Sequence, residues 1–252
     1  MIARLNESGY IVEKNALSTE LMISSLIQLA HLYAPERSRL PKKQRINIEQ
    51  AHHMAFSSYI EQGKTCPELR SRKYDVSACL PAVASILKEL EPKIRRVVGN
   101  KYIVTKCQFR FDDFTGSRSL GLHQEVYGML SDATITTWVP MCETNKTRGG
   151  LAVIPGSNKL GLIPHAMQPN ASGLMAHGIA MDSINEEQLG KPLVLSTSPG
   201  DAIMFNPYLI HGTSLPELEE INRITFICRA DPIDRIDYLH NVNASQAFIS
   251  QE

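Results

Sequence analysis

The sequence lacks the features that would place a chain in a membrane or on a nucleic acid. No apolar run approaches the roughly 18 residues that a membrane-spanning helix needs, and the start, "MIARLNESGYIVEKN", is too polar for a secretory signal. The 26 basic and 26 acidic residues cancel, so net charge does not steer the protein toward nucleic acid or an anionic surface. The five cysteines are scattered and form no CxxC pair of the kind that suggests a zinc or redox site. We therefore expect a cytoplasmic protein with reduced thiols and with neither nucleic-acid nor membrane partners.

The 252 residues are interpreted as one domain, 1–252, whose first 100 residues form a helical flank. The segment "LSTELMISSLIQLAHLYAP" begins with Ser/Thr, carries apolar residues at helical spacing and is followed by proline, which predicts an amphipathic helix. A second helix is predicted over "LPAVASILKELEPKIRRVVGN", with Pro81 in its first turn, a bend at Pro92 and a stop at Gly99. We assign no structure to the charged first half of "PERSRLPKKQRINIEQAHHMAF", which lies between them.

From residue 101 to about residue 235 the apolar period changes from helical to strand-like. In "YIVTKCQFRF" the residues Cys107 and Phe109 alternate with Lys106, Gln108 and Arg110, as in a half-buried strand. Further short strands are predicted over "ATITTWVP", "LAVI", "LVLST", "AIMFN" and "ITFICRA", separated by turns at "RGG", "PGSN" and "SPGD". Helices followed by many short strands indicate a mainly β (α+β) chain built on a sandwich or barrel.

Two distant segments carry residues suited to binding one metal ion. In "GLHQEVYGM", His123 and Glu125 would share a face if the segment is a strand, although an HxE pair alone often arises by chance. Far downstream, His211 follows an apolar strand in "GDAIMFNPYLIHGTS". Twelve positions later Arg223 opens "ITFIC", where a buried guanidinium is costly unless an anion meets it. Two histidines and a carboxylate match the facial triad that leaves open positions on Fe(II).

At these residues the chain resembles the phytanoyl-CoA dioxygenase-like branch of the Fe(II)/2-oxoglutarate-dependent oxygenases. The resemblance runs from about Gln108 to Arg229, and it rests on "LHQE", "TTWVPMCETNKTRGGLAVIPGSNKLG" and "GDAIMFNPYLIHGTSL" with the later "NR". It implies a double-stranded β-helix, or jelly roll, as the core over residues 101–235, with the N-terminal helices packed along one side. It also implies Fe(II), 2-oxoglutarate and O2 as cofactor and co-substrates, a small-molecule substrate, and hydroxylation with succinate and carbon dioxide as co-products.

The resemblance further implies a role for each matching residue. The iron ligands would be His123, Glu125 and His211. The far carboxylate of 2-oxoglutarate would meet Arg223 and Thr213. Trp138 matches a tryptophan that lines the co-substrate pocket of the family, and Gln108 lies on the strand from which a polar residue often reaches in. These last four residues are therefore expected to bind the co-substrate.

One residue departs from the pattern, and several others have a second interpretation. Most members carry aspartate where this chain has Glu125, which leaves the substrate class less certain, while a carboxylate at this position argues against halogenation. Arg223 could instead form a surface salt bridge with Glu219 or Glu220, Trp138 could be core, and Thr213 could be a turn hydroxyl. Three further residues could contact the substrate: Arg110, Tyr127 and Met129. His165 and His177, in the 160–191 insert, are expected at the surface or the pocket rim rather than as ligands.

A rival interpretation comes from a different functional class. A non-catalytic or redox-neutral cupin-like jelly roll could keep the metal site without using oxygen. Such a protein would have no need for Arg223 together with Thr213, so these two residues separate the alternatives.

Overall fold

The computed structural model describes most of the chain, namely residues 2–34, 46–65, 81–113, 121–126, 129–169, 175–179, 189–214 and 222–236. Over these ranges no helix combines the length and the apolar character that crossing a membrane would require. The charged segment 35–45, to which the sequence assigns no structure, and residues 170–174 and 180–188 of the 160–191 insert lie outside the described residues.

Four α-helices occur in the described part of the chain: α1 (Ile2–Ser8), α2 (Thr19–Tyr33), α3 (Ile48–Thr65) and α4 (Pro81–Val98). Both predicted helices are confirmed, as α2 and α4. The Ser18 side chain caps α2 by accepting a hydrogen bond from the Leu21 N–H, and Gly99, at φ 89°, follows the end of α4. Helix α3 was not predicted, because the polar residues of its first turns obscure the helical spacing of its apolar residues.

In the same described ranges, ten strands build antiparallel sheets in the order β1-β8-β3-β10-β2, β7-β4-β9 and β5-β6. Their bounds are β1 (Tyr10–Glu13), β2 (Tyr102–Asp113), β3 (Ile135–Pro140), β4 (Leu151–Val153), β5 (His165–Pro169), β6 (Met175–Ile179), β7 (Leu193–Val194), β8 (Ala202–Phe205), β9 (His211–Thr213) and β10 (Asn222–Pro232). The architecture is the predicted double-stranded β-helix with N-terminal helices. Strand β1, which was not predicted, pairs with β8 at the edge of the large sheet.

The two faces of the large sheet have different partners. Side chains alternate along β2 and β10, so Phe109 and Phe226 join the apolar core shared with α2, α3 and α4. On the opposite face Gln108 lies beside Ile227, which lies beside Trp138. A second apolar cluster fills the space between the sheets: Trp138, Leu151, Val153, Leu195, Ile203, Phe205 and Leu209. The interior of the jelly roll therefore receives both this cluster and the polar residues of β2 and β10.

The turn before β8 fastens the sheet to the N-terminal segment. Gly200 has φ 82°, and a Cβ atom there would lie 2.8 Å from the Leu17 carbonyl oxygen, so only glycine fits without strain. The buried carboxylate of Asp201 accepts hydrogen bonds from the backbone N–H groups of Asn15 and Ser198 and from Lys14 Nζ, at 3.0, 2.9 and 2.7 Å. Burial raises the pKa of Asp201, but these donors outweigh it and hold the pKa below its usual value.

Asp201→Asn should lower the free energy of unfolding by about 2 kcal/mol at neutral pH, because charge-assisted hydrogen bonds to a buried acceptor are lost. The lowered pKa makes this contribution complete above the ordinary carboxyl value near 4, and it disappears as pH falls through the lower folded value. Urea unfolding of both proteins at several pH values checks this. A difference that stays constant down to pH about 2 would show that the carboxylate charge does not matter.

Candidate functional site

Three potential metal ligands from the two distant segments meet at one point. Glu125 Oε1 lies 3.8 Å from His123 Nε2 and 3.7 Å from His211 Nε2. One donor atom from each residue lies within 4.8 Å of the others, and no other such group of His, Cys, Asp or Glu occurs in the described residues. A metal ion bonds such donors at about 2.0–2.2 Å. The three side chains could therefore hold one ion on one face.

Backbone pairing brings the two histidines together. His123 and His211 form an isolated antiparallel bridge in which each N–H donates to the carbonyl of the other, at 2.8 and 3.0 Å. The Glu125 N–H donates to the Pro207 carbonyl at 3.0 Å, so the residues after His123 are also hydrogen-bonded to the chain before β9. The HxE segment is therefore not the regular strand on which the prediction was based. Only His123 pairs as a strand residue does.

Both imidazoles are oriented by their own local backbone. His123 Nδ1 bonds the Gly121 carbonyl at 2.8 Å and His211 Nδ1 bonds the Leu209 carbonyl at 2.9 Å, in each case two residues back. A carbonyl only accepts, so each Nδ1 carries the proton and each Nε2 presents a lone pair toward Glu125. Burial and the neighbouring His123 lower the pKa of His211, which favours the neutral, ligating form.

The residue between the ligands holds the segment in place. Gln124 is buried, and its side-chain amide donates to the carbonyls of Gly161 and Tyr208, at 2.8 and 2.7 Å, and accepts from the Ile163 N–H at 2.9 Å. The Gln124 N–H donates to His165 Nε2 at 2.8 Å. His165 thus has a structural contact beside the site.

The Pro-Gly-Ser turn positions the other ligand. Ser157 Oγ accepts a hydrogen bond from the Ile210 N–H at 2.8 Å, and the Ile154 N–H donates to the Ile210 carbonyl at 2.9 Å. Gly156, at φ 80°, allows the chain to make this turn. The turn therefore holds the residue immediately before His211, which gives the "VIPGSNK" motif a physical role.

Glu125 remains ionised because of the groups around it. Burial raises the pKa of its carboxyl, but the facing imidazoles of His123 and His211 and the nearby guanidinium of Arg229 outweigh burial and hold the pKa well below its usual range. Arg229 Nη2 donates to Glu125 Oε2. Arg229 was not singled out from the sequence, although alternation along "ITFICRA" places it on the same strand face as Arg223.

Arg223 is neither a lone arginine nor a surface residue. It is 2% exposed, and its Nε and Nη2 donate to Asp112 Oδ2 at 3.0 and 2.7 Å, while Nη1 donates to the Gly149 carbonyl. Asp112 Oδ1 also accepts from Arg110 Nε at 2.7 Å. The surface salt bridge considered for Arg223 is therefore wrong. The interior instead holds two arginines around one carboxylate, a group with an excess positive charge.

The other residues expected to bind the co-substrate lie around this group. The Arg223 guanidinium carbon is 5.4 Å from the centre of the Trp138 ring. Gln108 is buried and shares the interior face of the sheet with Trp138. Thr213 pairs with Leu151 of β4, and Leu151 lies two residues after Gly149, whose carbonyl Arg223 contacts. Of these residues, Trp138 contacts Arg223, Gln108 lies on the same face of the sheet, and Thr213 lies on a neighbouring strand of the second sheet.

The remaining candidates fall in different places. Met129 is buried, and Arg110 is engaged by Asp112. Tyr127 lies outside the described residues, as does the side chain of His177.

Comparison with known proteins matches this fold and site to one family. The family model described as phytanoyl-CoA dioxygenase (PhyH) matches residues 5–215. A probable phytanoyl-CoA dioxygenase of Caenorhabditis elegans is 25% identical over 178 residues, which cover 68% of this chain and 55% of that protein. A 1-deoxypentalenic acid 11-beta-hydroxylase of Streptomyces arenae is 33% identical over 87 residues, covering 33% of this chain and 29% of that protein. The chain thus spans about half the length of the first of these relatives and less than a third of the second.

Solved structures with low sequence identity share the fold. The iron-bound crystal structure of EctD from S. alaskensis superposes with a TM-score of 0.61 at 14% identity, covering 94% of this chain and 77% of that one. HygX from Streptomyces hygroscopicus, solved with nickel and 2-oxoglutarate, has a TM-score of 0.58 at 14% identity and covers 91% and 85%. The family match extends over most of the chain, from α1 to the residues after β9. The chain therefore belongs to the phytanoyl-CoA dioxygenase family.

Proposed function

We propose that this protein is an Fe(II)/2-oxoglutarate-dependent oxygenase that hydroxylates a C–H bond of a small molecule, with succinate and carbon dioxide as co-products. The observation that carries the proposal is the meeting of His123, Glu125 and His211 donor atoms within 4.8 Å. The relative named as a hydroxylase supports hydroxylation as the outcome. We also keep the prediction that the protein works in the cytoplasm.

The donor set fits Fe(II). Two imidazole nitrogens and one carboxylate oxygen on one face are the ligand type of non-haem iron oxygenases, which leave the opposite positions open. With bonds of about 2.1 Å, neighbouring ligand atoms of an octahedron lie about 3 Å apart, so the separations of 3.7 and 3.8 Å need to close by less than an ångström. When bound, iron with 2-oxoglutarate would supply the oxidising chemistry.

The protein's own residues supply orientation and a dry, charged interior. The Nδ1–H contacts of both histidines fix the orientation of the rings with Nε2 toward the site, and Glu125 provides the negative charge. The apolar cluster around Trp138 excludes water from the space beside them. We propose that Arg223, with Thr213, Trp138 and Gln108 around it, receives the far carboxylate of 2-oxoglutarate. The excess positive charge of Arg110, Asp112 and Arg223 supports an anion there.

Loss of one ligand tests the metal site. Glu125→Ala should weaken Fe(II) binding on the order of 100-fold, or about 2.7 kcal/mol, because it removes the anionic ligand, and it should abolish hydroxylation. Anaerobic Fe(II) titration of the wild type and the variant measures this. The control is Glu91→Ala, which removes an exposed carboxylate of α4 and should bind iron normally. Wild-type iron affinity in Glu125→Ala would show that Glu125 is not a ligand.

The role of Arg223 separates the oxygenase from the redox-neutral, cupin-like alternative. Arg223→Gln should reduce 2-oxoglutarate affinity on the order of 100-fold, since a charge-assisted, two-pronged contact is lost. The measurement is an anaerobic titration of the Fe(II) protein, followed by the visible charge-transfer band of the 2-oxoglutarate complex.

Asp112→Asn is the matched control for this titration. It keeps Arg223 and removes the carboxylate that competes for it, so the affinity should stay the same or rise. If both variants lost affinity equally, the Arg223 and Asp112 pair would be a structural unit and not the co-substrate site. A wild-type protein that binds iron without forming the band would favour the alternative.

A further inference from the structure

We propose that Arg229 is a positioning residue that holds one oxygen of Glu125 and so restricts this glutamate to a single bond with the metal. The proposal rests on the function proposed above. It concerns a residue outside the set of ligands and co-substrate contacts already named, and it explains how a glutamate can stand where most of the family carries aspartate.

The two carboxylate oxygens of Glu125 have different partners. Oε1 faces both histidines, 3.8 Å from His123 Nε2 and 3.7 Å from His211 Nε2. Oε2 accepts the hydrogen bond from Arg229 Nη2. Only Oε1 is therefore presented to the point that the two imidazoles share, and Oε2 is engaged on the side of β10.

The register of β10 brings Arg229 to this position. Arg223, Thr225, Ile227 and Arg229 alternate with the apolar residues that face the helices, so they point into the jelly roll. The pairing register shifts between Arg229 and Ala230, where β2 contributes one residue more than β10, namely Thr105. The Arg229 side chain is 13% exposed, so its contact with the carboxylate is largely shielded from water.

A glutamate needs such a partner more than an aspartate does. Its side chain has one more rotatable bond, so more conformations must be lost when the carboxylate is fixed. If both oxygens turned toward the ion, the carboxylate would occupy a second position that the co-substrate requires. A charge-assisted bond to Oε2 prevents this rotation and leaves Oε1 available.

A neighbouring lysine makes it possible to distinguish the effect of the hydrogen bond between Arg229 and Glu125 from the effect of a nearby positive charge. Lys106 lies directly opposite Arg229 in the β2–β10 pairing, on the same interior face. Burial and the charges of Arg229 and Arg110 lower the pKa of Lys106, while Glu125 acts to raise it. Its contact with Glu125 is through charge and not through a hydrogen bond, so it is the matched control for Arg229.

The experiment compares Arg229→Met, Arg229→Lys and Lys106→Met with the wild type. Arg229→Met removes the donors at similar length, and Arg229→Lys keeps the charge without the planar fork. Each protein is loaded anaerobically with Fe(II) and titrated with 2-oxoglutarate. Each is separately loaded with Co(II), whose visible absorption reports the coordination number without any co-substrate.

Arg229→Met should keep its metal affinity within about threefold, because Glu125 still binds the ion, whereas its 2-oxoglutarate affinity should fall about 10- to 30-fold, because the released second oxygen competes for a position that the co-substrate needs. Its Co(II) spectrum should change intensity, because a second oxygen joins the ion. The 2-oxoglutarate affinity and the Co(II) absorption of Arg229→Lys should lie between those of Arg229→Met and those of the wild type. Lys106→Met should behave as the wild type in both measurements.

Two outcomes would overturn the proposal. One is a wild-type Co(II) spectrum and wild-type 2-oxoglutarate affinity in Arg229→Met. The other is an equal effect of Lys106→Met, which would mean that positive charge alone matters. If the wild type itself bound no 2-oxoglutarate, the proposed function would fail, but the Co(II) comparison would still decide the role of Arg229. If Arg229→Met did not fold, the Co(II) spectrum of Arg229→Lys would decide, and a wild-type spectrum would count against the proposal.

Discussion

The reciprocal hydrogen bonds between the backbones of His123 and His211 are the contact on which the site depends. They join a segment that has little regular structure of its own to strand β9, across 87 intervening residues of the chain. Each histidine then orients its ring on a carbonyl two residues back. Gln124, within that segment, and Ser157, in the Pro-Gly-Ser turn, hold the two sides of this junction. The ligands converge because these backbone contacts fix the positions from which the three side chains extend.

Charge organises the rest of the interior. One end of the β2–β10 face carries Arg110, Asp112 and Arg223, and the other carries Arg229 beside Glu125. At each end a carboxylate is held by arginine, so its buried negative charge is compensated. We propose that both pairings serve ligand binding: at Glu125 by limiting the carboxylate to one free oxygen, and at Asp112 by keeping Arg223 in place until an anionic co-substrate arrives.

Local sequence pattern predicted the parts of the structure that local physics determines. The ends of α2 and α4 and the alternation of apolar and polar residues along β2 follow from neighbouring residues, so they were predicted correctly. The strand is not half-buried as expected, because its polar residues Gln108 and Asp112 are buried in the interior of the jelly roll. The link between Asp112 and Arg223 spans 111 positions and could not be seen, because the sequence does not show which strands pair or in which register. For the same reason the arginine appeared to lack a partner, and Arg229 was overlooked. The family resemblance predicted the ligand set, while only the structure shows how Gln124 braces it.

The central claim is that His123, Glu125 and His211 hold iron at one point, and a crystal of the protein grown anaerobically with Fe(II) and 2-oxoglutarate tests it most directly. Anomalous scattering measured at the iron edge should give one strong peak about 2.0–2.2 Å from the two Nε2 atoms and from Glu125 Oε1. Oε2 should remain on Arg229. A peak elsewhere, or an ordered 2-oxoglutarate with no iron between these three residues, would contradict the account.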